Sequence, residues 1–232
     1  LFLSDTLRAM MNVREPRPME EETLRLQDEY LAGRAAEKGV VGLSDIPALG
    51  EGALAGSLSI WQGDITRLCT GAIVNAANSA MLGCFQPLHN CIDNCIHTYA
   101  GVQLRLKCSE LMEAQGCEEP TGQAKITPAY NLPSKYVIHT VGPLVDEPLT
   151  PKHCDLLRSC YRSCLDIAAE NGCGSIAFCC ISTGVFHFPN QRAAEIAFET
   201  VKSYHRHSLK TIVFNVFLDK DRDIYQQLLE AQ

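Results

Sequence analysis

The sequence predicts an α/β fold, a three-layer α/β/α sandwich built around a six-stranded sheet. From about residue 57 onwards, short apolar segments of strand length alternate with longer segments of helical periodicity. Several of these strands are continuously apolar, which is typical of strands that are covered on both faces. Polar loops follow two of them, and α/β sheets build ligand sites where such loops leave the carboxyl ends of strands. We interpret these two loops as the two walls of one cleft.

The first part of the chain is predicted to be a helical extension over residues 1–55. Residues 20–38 are rich in Glu, Leu, Arg and Ala and give a partial apolar face. A glycine-rich connector follows, containing Gly39, Gly42, Gly50, Gly52 and Gly56. We expect the extension to dock on the main domain, residues 56–232, as a lid or a brace. Its residues show no recognisable chemistry.

Strands and helices are expected to alternate along the main domain. The predicted strands cover 57–62, 72–75, 125–130, 136–141, 175–181 and 211–217. The predicted helices cover 91–115, with a break near residue 100, 150–171 and 189–204. Thr150 followed by Pro151 is a strong helix start, and Asn171 with Gly172 is a helix stop. Asp221 is expected to cap a terminal helix.

Composition excludes several classes of function. The net charge is −7 and the basic residues are scattered, whereas nucleic-acid binding requires a concentrated basic surface. No apolar run approaches the roughly 18–20 residues that span a bilayer, and the first residues are too short and polar for a signal peptide. Many of the twelve cysteines lie in apolar strand or helix patterns. We therefore expect free thiols and a cytoplasmic location.

One loop after the second predicted strand has the composition of a metal site. This loop contains Cys84, His89 and Cys91 within a span of eight residues. Zinc accepts thiolate and imidazole ligands, and three protein ligands leave a fourth position for water or substrate. The alternative is a pair of buried thiols beside a surface histidine. Cys95 and His97 fall on the following helix, and we interpret them as structural.

Three motifs in order resemble the macrodomain family, the ADP-ribose-binding fold. They are Gly-Asp-Ile-Thr at 63–66, Ile-Val-Asn-Ala-Ala-Asn at 73–78 and Ile-Ser-Thr-Gly-Val-Phe at 181–186. The Cys/His insert at 83–94 resembles the zinc-containing microbial branch, whose members remove ADP-ribose from proteins. The resemblance covers roughly residues 57–230. It implies a mixed six-stranded central sheet, a helical N-terminal extension and a zinc cofactor.

The resemblance also implies roles at the nucleotide end of the cleft. Asp64 would accept a hydrogen bond from the adenine amino group, with a second contact from the backbone amide of Ile65. The ordinary alternative for Asp64 is a helix cap. The diphosphate would be held by a loop with backbone amides and a close-approach glycine, comprising Ser182, Thr183, Gly184, Val185 and Phe186. Relatives usually have Gly where this chain has His187.

The roles implied at the ribose end centre on four polar residues. Asn78 is predicted to contact and orient the distal ribose, and Asn75 to brace this loop beside the ligand. Asp93 would share in activating water with the metal, although a helix cap is its ordinary alternative. Asn94 replaces the Gly of many relatives without zinc, and we include it among the ligand-binding residues.

The leading prediction is a zinc-dependent hydrolase that removes mono-ADP-ribose from acidic side chains of modified proteins. In some relatives the substrate is a lipoyl-carrier protein that a dedicated sirtuin modifies. One alternative is a binding module that reads ADP-ribose without cleaving it. Another is a deacetylase acting on O-acetyl-ADP-ribose. No nucleic acid or membrane partner is expected.

Overall fold

A computed structural model describes residues 2–47, 57–204 and 209–230 of the chain. The predicted domain boundary at residues 55 and 56 lies outside the described residues, as do Gly50, Gly52 and Gly56 of the connector. The helices are α1 (Phe2–Val13), α2 (Glu21–Lys38), α3 (Ile92–Ala100), α4 (Val102–Gln115), α5 (Pro151–Glu170), α6 (Asn190–Lys202) and α7 (Asp219–Glu230). Short 3₁₀ helices cover Leu43–Asp45 and Ile65–Arg67.

The strands form a mixed sheet of six and a small parallel pair. They are β1 (Val41–Gly42), β2 (Leu58–Gln62), β3 (Leu68–Cys69), β4 (Ala72–Ala77), β5 (Ala124–Pro128), β6 (Tyr136–Val141), β7 (Ser175–Phe178) and β8 (Thr211–Val216). The order in the main sheet is β2-β8-β7-β4-β6-β5, and β1 pairs with β3. Only β5 runs antiparallel to its neighbour in the main sheet. The predicted three-layer α/β fold with a mixed six-stranded sheet is confirmed.

Local sequence accounts for most element ends. The Thr150 hydroxyl accepts a hydrogen bond from the His153 amide, so it caps α5 directly before Pro151, as predicted. The break in the 91–115 helix falls at Gly101, where φ is 94° and a side chain would be strained. The prediction for Asp221 was wrong. The terminal helix begins at Asp219, and Asp221 is a buried residue of its first turn that accepts a hydrogen bond from Asn190 Nδ2 at 2.7 Å.

The core lies on both faces of the sheet, and β4 is at its centre. Ala72, Ile73 and Val74 are buried because β6 and β7 flank β4 and helices cover it. On one side α3 packs against β4, and the extension helices α1 and α2 in turn contact α3. In the part of the chain that the structure describes, no helix is both long and apolar enough to cross a membrane.

Shortening a side chain of the central strand should weaken the whole fold. Ile73→Ala removes buried methyl groups at a site that is 1% exposed, and we expect it to lower the free energy of unfolding by about 2–5 kcal/mol. Leu3→Ala in α1 is the control, since Leu3 is 83% exposed and its loss should change stability by less than about 0.5 kcal/mol. Urea unfolding of both variants measures this, and equal effects would contradict the assignment of the core to β4.

Candidate functional site

The carboxyl ends of five parallel strands bring the predicted site residues to one edge of the sheet. Asp64 follows β2, Asn78 follows β4, and the loop 182–186 follows β7. Phe217 follows β8, which lies between β2 and β7. Because parallel strands all end at the same edge, residues that are far apart in sequence share this surface.

Asp64 is fixed by partners on both of its oxygens. Oδ1 accepts hydrogen bonds from the Thr66 amide at 3.0 Å and from its hydroxyl at 2.6 Å, so Asp64 does cap the short helix Ile65–Arg67. Oδ2 accepts from Lys38 Nζ at 2.8 Å. Burial acts to raise the pKa of the Asp64 carboxyl, but the hydrogen bonds from Lys38 and Thr66 outweigh burial and lower that pKa. The carboxylate is therefore a charged acceptor at the end of β2.

Asp93 is a buried carboxyl held by two asparagine amides. Its Oδ1 accepts from Asn75 Nδ2 at 2.8 Å, and its Oδ2 accepts from Asn78 Nδ2 at 3.3 Å. Burial raises the pKa of Asp93 to about 6, against the lowering effects of the Asn75 hydrogen bond and the Arg105 charge. Asn75 itself is completely buried. It braces Asp93, and half-buried Asn78 is the amide nearer the surface.

A second polar cluster lies behind Asp93. Ligand atoms of His97, Cys108 and His139 are within 4.8 Å of one another, and all three residues are buried. His139 Nδ1 contacts Asn75 Nδ2 at 3.2 Å and its Nε2 contacts the Thr127 hydroxyl at 3.0 Å. Burial lowers the pKa of His97 well below its usual value, so its contact with Asp93 at 3.6 Å is not an ion pair.

Cys84, His89 and Cys91 form a half-buried cluster that fits a zinc ion. Their ligand atoms all lie within 4.8 Å of one another. Cys84 Sγ is 3.6 Å from His89 Nδ1. Zinc bonds of about 2.3 Å to sulfur and about 2.0 Å to nitrogen, at a tetrahedral angle, separate such atoms by about 3.5 Å. The donor types and their spacing thus suit a three-ligand site with one open position.

The surroundings of Cys91 act on its thiol. Burial, together with the charges of the nearby Cys84 and Asp93, raises the pKa of that thiol to about 12, although the hydrogen bond from the Asn94 amide lowers it. The Asn94 amide donates to Cys91 Sγ at 3.4 Å, the kind of support that metal-bound sulfur receives. The Asn94 side chain is fully buried and donates to the carbonyls of Cys84 and Gln86.

Backbone hydrogen bonds hold the loop after β7, one within the loop and one from Val145. The Phe188 amide donates to the Ser182 carbonyl at 3.0 Å, and the Phe186 carbonyl accepts from the Val145 amide at 2.9 Å. Gly184 and Val185 are exposed at its tip, Thr183 and Phe186 are half-buried, and the Ser182 side chain is buried. His187 has a φ of 56°, a left-handed conformation that glycine adopts more easily. This explains why glycine suits position 187.

Several residues near the site were missed by sequence reasoning. Phe217 is 72% exposed beside the end of β2, where the Gly63 amide pairs with the Val216 carbonyl. Sequence analysis placed Phe217 at the end of the predicted strand 211–217, whereas β8 ends at Val216 in the structure. Lys38 of α2 reaches Asp64 and lies 3.2 Å from the centre of the Tyr99 ring, and Arg8 of α1 reaches the Cys/His insert. Nothing in the extension's helical pattern indicated these long-range contacts.

Comparisons with known proteins agree with this geometry. Residues 74–197 match the family model described as Macro domain. The chain is 57% identical to a protein-ADP-ribose hydrolase of Treponema medium, over 96% of this chain and 86% of that protein. It is 49% identical to a protein-ADP-ribose hydrolase of Staphylococcus aureus strain MSSA476, over 97% of this chain and 84% of that protein.

Solved structures extend the similarity to three dimensions. A Trypanosoma brucei macrodomain in complex with ADP-ribose superimposes with a TM-score of 0.73 and 29% sequence identity. The match covers 96% of this chain and 94% of that structure, so it includes the N-terminal extension.

The Lys38–Asp64 ion pair should give a pH-dependent contribution to stability. The pKa of Asp64 is below its usual value in the folded protein, so this stabilisation is present above about pH 4 and is lost as the pH falls through the folded-state pKa. We expect Lys38→Met to lower the free energy of unfolding by about 1 kcal/mol at pH 7. The difference from wild type should shrink towards zero as Asp64 becomes protonated.

Urea unfolding between pH 2.5 and 7 measures this difference. Lys107→Met is the matched control, because it breaks an exposed ion pair with Glu110 on the surface of α4. That variant should stay within about 0.5 kcal/mol of wild type. A Lys38→Met effect of the same size at every pH would show that the ion pair is not its origin.

Proposed function

The chain belongs to the macro domain family and is a hydrolase, and we propose that it removes mono-ADP-ribose from acidic side chains of modified proteins with the help of zinc. One observation carries the proposal. The start of α3 joins the two reactive features, since Cys91 caps this helix and Asp93 lies in its first turn. The Cys/His cluster and the Asp93 carboxyl therefore lie side by side.

The nucleotide end of the substrate would lie across the ends of β2 and β8. Asp64 provides a carboxylate acceptor, which suits the amino group of adenine. The exposed ring of Phe217 offers an aromatic face for stacking of the base on the neighbouring strand. Lys38 keeps the Asp64 carboxylate charged and oriented without covering it, because both side chains remain partly exposed.

The diphosphate and the distal ribose would follow towards the centre of the sheet. Backbone amides of residues 182–186 would hold the phosphate oxygens, with Gly184 at the exposed tip permitting close approach. Asn78 has an amide beside Asp93 and would orient the ribose hydroxyls. The chain carries a net charge of −7, so local amide donors rather than overall charge must attract this anion.

Hydrolysis would occur at the distal ribose next to Asp93. Zinc held by Cys84, His89 and Cys91 would act as a Lewis acid there and lower the pKa of bound water to about 7. Asp93 would orient the attacking water and accept its proton. The water oxygen would bond to the anomeric carbon of the ribose. The bond from that carbon to the carboxyl oxygen of the modified substrate side chain would break, and the carboxylate would leave. Asn75 and Asn78 hold the Asp93 carboxyl in place.

The proposed partner is a mono-ADP-ribosylated protein, and a lipoyl-carrier protein is the first candidate to assay. All twelve cysteines are free thiols, which fits a reducing compartment such as the cytoplasm. Rates on a modified protein and on O-acetyl-ADP-ribose distinguish the proposed activity from a deacetylase. A faster reaction on the free ester would favour the deacetylase.

Removing the metal should abolish turnover reversibly. We expect the purified protein to carry roughly one zinc per chain and to release ADP-ribose from a glutamate-modified protein. Chelation should stop the release, and added zinc should restore it. Cys84→Ser should lack both zinc and activity, whereas Cys69→Ser changes an exposed thiol of β3 and should retain both. Full activity of zinc-free protein would refute the zinc requirement.

Substitution of Asp93 should affect mainly catalysis, and substitution of Asp64 should affect mainly ligand binding. Asp93→Ala should lower kcat at least about 100-fold and leave the Kd for ADP-ribose nearly unchanged. Asp64→Ala should weaken ADP-ribose binding by about tenfold through loss of a charged hydrogen bond, with a much smaller effect on kcat. Calorimetry and single-turnover kinetics provide the two readouts. Equal loss of binding and turnover in Asp93→Ala would contradict its catalytic role.

A further inference from the structure

Of the three candidate ligands in the Cys/His loop, residues 83–91, Cys91 is held as the N-cap of α3, whereas Cys84 and His89 lie in a segment without regular secondary structure. Two of its residues, Gly83 and Leu88, have positive φ angles of 79° and 58°. The loop also leaves exposed side chains at its tip, among them Pro87 and Leu88. Within the loop the His89 amide donates to the Gln86 carbonyl at 3.2 Å, and further backbone groups of the loop are paired with groups outside it.

Helix α1 supplies such groups on both sides of His89. Arg8 Nη2 donates to the His89 carbonyl at 2.8 Å. Asn12, one turn further along α1, accepts a hydrogen bond from the Leu88 amide on its Oδ1 at 3.0 Å. The other side of the Asn12 amide donates to the Thr98 hydroxyl of α3 at 2.9 Å. Asn12 is 1% exposed, so water does not replace these bonds.

Arg8 also acts on the cysteines through Asn94. Its Nη2 donates to Asn94 Oδ1 at 3.1 Å, which directs the amide group of Asn94 towards the loop. Asn94 Nδ2 then donates to the Cys84 carbonyl at 3.3 Å, and the Asn94 backbone amide donates to Cys91 Sγ at 3.4 Å. One guanidinium thereby reaches the backbone of His89 directly and that of Cys84 through a single intervening side chain.

The position of α1 is itself fixed by a buried arginine of α4. Arg105 Nη1 lies within hydrogen-bond distance, 2.6 to 3.1 Å, of the carbonyls of Met11 and Asn12 at the end of α1 and of Arg14 directly after it. Its Nε donates to the Leu82 carbonyl at 2.7 Å, directly before the Cys/His loop. The helix and the loop are therefore anchored by the same side chain.

We propose that Arg8 and Asn12 are positioning residues of the metal site, through which the N-terminal extension controls how tightly the metal is held. The inference rests on the proposed zinc site at Cys84, His89 and Cys91. A loop that is already held in the binding arrangement loses less conformational freedom when the ion enters. Without these bonds, the ligands must be ordered by the metal itself, and the metal leaves more readily.

The test measures metal retention rather than activity. Full-length protein is loaded with zinc, and transfer of zinc to a chromogenic chelator is followed over time. We expect Arg8→Met and Asn12→Leu to release zinc about 10–100-fold faster than wild type, the range typical of outer-shell changes. Arg8→Lys keeps the charge and a donor, and it should fall between wild type and Arg8→Met.

A control residue directly after the same helix separates positioning from general destabilisation. Arg14→Met removes a half-buried guanidinium whose Nη2 donates to the carbonyls of Arg17 and Pro18, away from the loop. It should release zinc at the wild-type rate. Urea unfolding of the zinc-free forms should place Arg8→Met close to Arg14→Met, so that faster release cannot be attributed to a weaker fold.

The outcomes distinguish this inference from the proposed function. Wild-type release rates in both Arg8→Met and Asn12→Leu, with zinc bound to each protein, would overturn the positioning role and leave the zinc site intact. Faster release in Arg14→Met, equal to that in Arg8→Met, would overturn it as well. Failure of the wild-type protein to bind zinc at all would refute the zinc site itself and, with it, this inference.

Discussion

The parallel direction of β2, β8, β7, β4 and β6 is the constraint on which the site depends. Each of these strands ends at the same edge of the sheet, where the chain continues into a loop or a helix. Asp64 and the start of α3 are separated by almost thirty positions in sequence, and the loop after β7 lies about ninety further on. Only a shared sheet edge brings them together, and the buried core of β4 keeps that edge rigid.

Local interactions compensate for the negative charge at this edge of the sheet. The protein is acidic, and its edge carries Asp64, Asp93 and two thiols, yet the proposed ligand is a diphosphate. Lys38 forms an ion pair with the Asp64 carboxylate, and asparagine amides donate hydrogen bonds to Asp93, so both carboxyls have partners. A divalent cation bound by the two sulfurs as thiolates would leave that group without net charge, and backbone amides bind phosphate without any net charge.

The N-terminal extension contributes to both ends of this edge. Lys38 of α2 reaches the end of β2, and Arg8 and Asn12 of α1 reach the loop before α3. Each contact joins the extension to α3 or to a loop beside α3. The buried side chain of Arg105 donates a hydrogen bond to α1. The extension is thus part of the framework of the site, although it supplies none of the candidate metal ligands or the carboxylates.

The sequence by itself determined the fold class, the six strands, the break near Gly101 and the Thr150 cap, because periodicity and capping are local properties. The resemblance of short motifs to the macrodomain family predicted roles for Asp64 and Asp93, and the spacing of Cys84, His89 and Cys91 predicted a metal site. Tertiary structure decided the rest. Both Asn75 and Asn94 are buried, and their side-chain amides donate to the Asp93 carboxyl and to the carbonyls of Cys84 and Gln86, respectively. Lys38, Arg8 and Asn12 act across 26 to 86 positions of sequence, and such contacts leave no periodic signal because packing between helices creates them.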